Sequence, residues 1–136
     1  MQEVNETQEQ NYVGLTVQRE ARCTNDLLGF SDRKILEFAA KAADISGEYC
    51  NHWEGKGSYD GILKSEDYNW NPLCDEGDAL ILASRMCFYI EINQISVVVK
   101  SGDMIVKEVC SGRGDRPQAI LRAITFCAAQ IGRART

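Results

Sequence analysis

Residues 88–110 read FYIEINQISVVVKSGDMIVKEVC, and their pattern decides the fold. Phe88, Ile90 and Ile92 alternate with Tyr89, Glu91 and Asn93, the period of two shown by a strand with one apolar and one wet face. The run ISVVV at 95–99 breaks that alternation, because Val97, Val98 and Val99 are apolar in succession. Such a run suits an inner strand covered on both faces. Ser101-Gly102-Asp103 has the chemistry of a hairpin turn, and MIVKEVC at 104–110 returns as a third strand.

Helical spacing surrounds this strand region. Ahead of it, Ala79, Leu80, Leu82, Ala83 and Met86 supply the apolar surface of one helix, with Asp75, Glu76 and Asp78 at its positive end. Further upstream, Ile35, Phe38, Ala39, Ala42 and Ile45 predict a helix opened by Ser31 or Asp32 and stopped by Gly47. After the strands, Ile120, Ala123, Ile124, Cys127 and Ile131 predict a last helix that starts near Asp115-Arg116-Pro117 and runs up to Gly132. Residues 48–63 suit two short strands about a turn at Gly55-Lys56-Gly57, and Pro72 interrupts the pattern at Asn69-Trp70-Asn71. The expected fold is α+β: an antiparallel sheet with helices on both faces, an α/β/α sandwich.

The chain has 136 residues, one domain's worth, and its 44% hydrophobic and 26% charged composition is that of a globular protein. Residues 1–28 read as an acidic, partly disordered N-terminal extension, in which YVGLTV at 12–17 can form a strand; residues 29–136 read as the folded domain. A net charge of −5 argues against a general nucleic-acid binder. No apolar stretch nears the roughly 18 residues of a membrane span, and the polar first ten residues lack a signal peptide's pattern. A cytoplasmic protein without a membrane partner is expected, its six cysteines scattered thiols without a metal or disulfide framework.

Two clusters could carry chemistry. Asp75, Glu76 and Asp78 beside Asn71 have the density of carboxylates that a metal-dependent hydrolase needs. Acidic residues just before an amphipathic helix are more often caps, and that reading is favoured. The second cluster is Ser111-Gly112-Arg113-Gly114-Asp115-Arg116-Pro117, between a strand and the last helix. Amides of Gly112 and Gly114 and the guanidinium groups of Arg113 and Arg116 are the ingredients of an anion site. Trp70, as a stacking aromatic, and Asn71 complete the candidate ligand-binding set. The bland alternative is that Asp115 caps the helix, with Gln118 closing a capping box. Charge is segregated here, with Arg113, Arg116, Arg122, Arg133 and Arg135 against Asp115 alone between 111 and 136. His52, two residues from Cys50, lacks the partners of a triad or a zinc site and reads as a strand residue. Trp53, Tyr59, Tyr68 and Trp70 read first as core or interface aromatics. No catalytic residue, metal or cofactor is assigned.

Trp70-Asn71-Pro72-Leu73, followed by Asp75-Glu76-Gly77-Asp78-Ala79-Leu80, resembles a segment of small tailed-phage and prophage proteins, the phage ABA sandwich domain. ILEFAAKAADI at 35–45 is similar to that family's opening helix, and AILRAITFCAAQIGRA at 119–134 to its closing alanine-rich helix. The resemblance implies a helix–sheet–helix sandwich and a phage or prophage origin, hence action in the host cytoplasm. It implies no catalytic or binding residues.

These readings favour a non-enzymatic phage accessory protein, expected to be a homo-oligomer. It would sequester an anionic small ligand, such as a nucleotide-derived host immune signal, or a host factor, to counter host defence. The alternatives are a module that inhibits a host protein by binding it and the metal-dependent hydrolase.

Overall fold

The computed structural model describes residues 29–50, 60–65 and 68–135. The 55–57 turn, the 12–17 strand, His52, Trp53 and Tyr59 lie outside the described residues.

Helix α1, Asp32–Ala42, opens at Ser31, whose hydroxyl oxygen accepts the Lys34 amide at 3.2 Å. That bond satisfies one of the amides a helix start leaves without a partner. Ile35, Leu36, Ala39 and Ala40 form its buried stripe. The helix stops before the expected Gly47. Asp44 adopts a left-handed φ of 57°, its amide donates to the Lys41 carbonyl and the Ile45 amide to that of Ala40, the two bonds of a Schellman stop.

Strands β1 (Glu48–Cys50), β2 (Gly61–Ser65) and β3 (Tyr68–Trp70) form one antiparallel sheet in that order. The two strands expected here are joined by a third, which ends where Pro72 was expected to break the pattern. Gly61 is required by close approach, since a Cβ there would lie 2.5 Å from the Trp70 carbonyl oxygen.

Helix α2, Glu76–Met86, is capped by Asp75, whose carboxylate accepts the Asp78 amide at 2.8 Å. It ends on another Schellman pair, the Phe88 amide to the Ala83 carbonyl and the Cys87 amide to that of Ser84, with Cys87 at a φ of 56°.

Strands β4 (Tyr89–Ile92), β5 (Ser96–Ser101) and β6 (Met104–Val109) form the second antiparallel sheet, with β5 in the middle. Residues 96–99 are all buried, as the valine run predicts for an inner strand. Gly102, with φ 58°, makes the tight turn that pairs Ser101 with Met104.

Helix α3, Arg116–Ala134, holds the assembly together. It packs on β5 and β6, against α1 along much of its length, and against α2; α1 in turn rests on β1 and β2. Residues 123–130 of α3 are buried without a break, so the helix is covered on all sides there. It runs through Gly132, where the sequence predicts a stop. A Cβ at that position would overlap the Phe38 carbonyl, so Gly132 is where α1 and α3 touch backbone to backbone. Val97, Val99 and Val106 from the second sheet, Trp70 and Ile62 from the first, Leu36 from α1 and Leu82 from α2 share one core. Among the described residues, three helices and two antiparallel sheets around that core make an α+β fold.

Candidate functional site

The acidic cluster is built into the fold. Asp75 is spent on the cap of α2, and Asp78, only 2% exposed, accepts the Asn71 amide at 2.8 Å. Asn71 Oδ1 accepts the Leu73 amide at 2.9 Å, while its Nδ2 donates to the Asp60 carbonyl at 2.7 Å. The chain from Trp70 to Asp78 is thus a bracket that turns β3 into α2. Among the described residues no group of three His, Cys, Asp or Glu side chains is placed to hold a metal ion. Cys74 beside the bracket has its thiol pushed up by burial and then by the Asp75 and Asp60 charges, away from thiolate chemistry.

The loop from 111 to 117 carries the anion-binding ingredients, and one anion already sits in it. Asp115 Oδ2 accepts the Ser111 amide at 3.0 Å and hydroxyl at 2.8 Å, and its Oδ1 accepts the Gly112 amide at 3.0 Å. Those bonds, led by the pair from Ser111, hold the carboxyl below the usual aspartate range. The expected capping box does not form: Asp115 caps α3 by position without a side-chain bond, and Gln118 Nε2 donates instead to the Leu73 carbonyl at 3.0 Å. Arg116 reaches the Gln94 carbonyl at 3.1 Å, which ties α3 to the β4–β5 turn. Arg113 and Gly114 are exposed. The structure therefore brings Gly112, Arg113, Gly114 and Arg116 into one turn. It places Trp70 (2% exposed) and Asn71 (8%) in the core, with Asn71 bonded to Leu73, whose carbonyl accepts Gln118 of α3.

A third feature lies between these two. Helix α2 leans chiefly on α3, and a groove of about 240 Å3 stays open between the two helices and β4. It is lined by Glu76, Ala79 and Leu80 from α2, Ile90 and Ile92 from β4, and Pro117, Ile120, Leu121 and Ile124 from α3. Strand β4 is an edge of its sheet among the described residues, so one side of its backbone is not paired in that sheet, and its Ile90 and Ile92 line the groove. Leu80 is 68% exposed and Ile92 52%. The sequence carried a signal for this surface: ALILA at 79–83 is too uniformly apolar for a helix buried on one side.

No protein-family model, curated protein or solved structure matches the chain.

Proposed function

We propose that the protein is a non-catalytic interaction module that holds an extended segment of another protein against β4. The observation that carries this reading is the aliphatic groove opening directly beside an edge strand. An extended segment adding to β4 gains main-chain hydrogen bonds and sends every second side chain toward the groove. The groove is small beside the roughly 300–1,000 Å3 of ordinary small-molecule pockets, and its walls suit two or three aliphatic side chains. On the opposite face of β4, exposed Glu91 favours Lys or Arg on the incoming strand. The partner chemistry is thus an extended stretch of alternating aliphatic and basic residues. The similarity of residues 70–80 and 119–134 to the phage ABA sandwich supports an accessory role in which a host factor supplies that stretch.

The test is calorimetry of the full chain with a peptide alternating Val or Ile with Lys. Saturable binding that Ile92→Asp removes supports the reading. No binding, or equal binding by Ile92→Asp, overturns it, and displacement of the probe by a peptide of residues 12–17 would assign the groove to this chain itself.

Exposed Arg113 and Gly114 favour a second reading, a small phosphorylated ligand on the 111–116 turn. Such a ligand competes with the Asp115 carboxylate for the Ser111 and Gly112 amides. Asp115→Ala should then tighten binding of a nucleotide and Arg113→Ala weaken it; a nucleotide affinity indifferent to both removes the reading.

A further inference from the structure

Glu76 is the one acidic or basic side chain among the residues that line the groove, and we infer that it selects a lysine or arginine at one end of the bound segment. The inference rests on the reading of the groove as a strand-binding site and adds where along that segment a charge is required. Of the three carboxylates at the start of α2, Asp75 is spent on the Asp78 amide and Asp78 on the Asn71 amide. Glu76 is exposed and has no hydrogen-bond or ion-pair partner among the described residues. It stands one turn ahead of Ala79 and Leu80 on the stripe of α2 that lines the groove, and helical side chains lean toward the N-terminus.

Two bonds fix which end of the groove Glu76 occupies. Gln118 donates to the Leu73 carbonyl, so α3 starts beside the start of α2, and Arg116 donates to the Gln94 carbonyl in the β4–β5 turn. Glu76, Pro117 and Ile92 therefore share one end, and Ile90 and Ile124 lie toward the other. A segment added along β4 sets successive groove-facing side chains about 7 Å apart, so two aliphatic ones level with Ile90 and Ile92 put the next at the Glu76 end. A lysine or arginine there can lay its methylenes on the apolar wall and bring its charge to the free carboxylate. Asp75 and Asp78 add negative potential at the same end, while Arg116 is turned to the Gln94 carbonyl. The partner chemistry is thus a basic residue at one end of the aliphatic face itself, distinct from the basic residues that Glu91 favours on the opposite face.

Calorimetry on the full chain tests it with the alternating aliphatic–basic peptide and two pairs of extended peptides. Each pair adds one more groove-facing residue, lysine or its glutamine control, at one end or the other of the aliphatic face. Because Glu76 is exposed, the gain is modest and screened by salt. At an ionic strength of about 0.01 M, the lysine peptide of one pair should bind roughly twofold to fivefold tighter than its control, and at about 1 M the two should bind alike. Glu76→Gln should abolish the difference and Glu76→Lys reverse it. A lysine that gains nothing at either end, or gains as much against Glu76→Gln, overturns the inference while the groove reading stands on binding of the unextended peptide. Failure of every peptide to bind overturns both.

Discussion

The Asp78 carboxylate accepts the backbone N–H of Asn71 at 2.8 Å, across seven residues that include Pro72 and the cap of α2. Both residues are buried, so this bond answers for an amide that water cannot reach. It explains an acidic side chain in the first turn of a helix more fully than the helix dipole does. Replacing Asp78 by Ala should cost about 1–3 kcal/mol, because the Asn71 amide is left without an acceptor. Asp78→Asn keeps an acceptor oxygen and should cost less. Urea unfolding of the two variants checks the order.

Gly132 and Phe38 meet where α3 crosses α1. Glycine within a helix ordinarily costs about 1 kcal/mol relative to alanine, so Gly132→Ala would stabilise an unobstructed helix. Here the added methyl meets the Phe38 carbonyl, and backbone cannot step aside as a side chain can. The substitution should destabilise by about 2 kcal/mol or more, with α1 and α3 forced apart. A rise in melting temperature would contradict that contact.

Cys87 ends α2 in a left-handed conformation that glycine adopts without a Cβ penalty. Its side chain is exposed, so little packing is lost on removal. Cys87→Gly should gain about 0.5–1 kcal/mol, read from denaturant midpoints.

Asp115 carries a pH dependence of definite sign. Bonds from Ser111 and Gly112 lower its pKa in the folded chain, so they favour the ionised carboxylate. The stabilisation they give is present above the unfolded aspartate pKa of about 3.9 and is lost as pH falls through the lower folded value. Amide resonances of Ser111 and Gly112 should therefore titrate with a midpoint below the ordinary aspartate range and stay constant near neutrality. A midpoint at or above that range would contradict the geometry.

The second sheet was legible because its information is local: the alternation at 88–92, the valine run at 97–99 and the glycine turn at 102 all act within a few residues. The separation into two sheets was not, because whether β3 pairs with β2 or with β5 depends on contacts between distant segments. Gly132 was misread for a related reason, since a glycine that admits another backbone and one that stops a helix are identical in sequence. Asp115 and Gln118 have capping-box spacing, yet Ser111 and Leu73 offered their side chains other partners. At the candidate site, the sequence pointed to the arginine–glycine turn. The groove emerges only when α2, β4 and α3 converge, although the apolar run at 79–83 marked one wall.

The most direct measurement is methyl-resolved NMR of the full chain titrated with the alternating aliphatic–basic peptide. The account predicts that the methyl signals of Ile90, Ile92, Ile120 and Ile124 shift together, while the amides of Arg113 and Gly114 stay in place. Shifts confined to the 111–116 turn, or isoleucine methyls that do not move at saturating peptide, would contradict it.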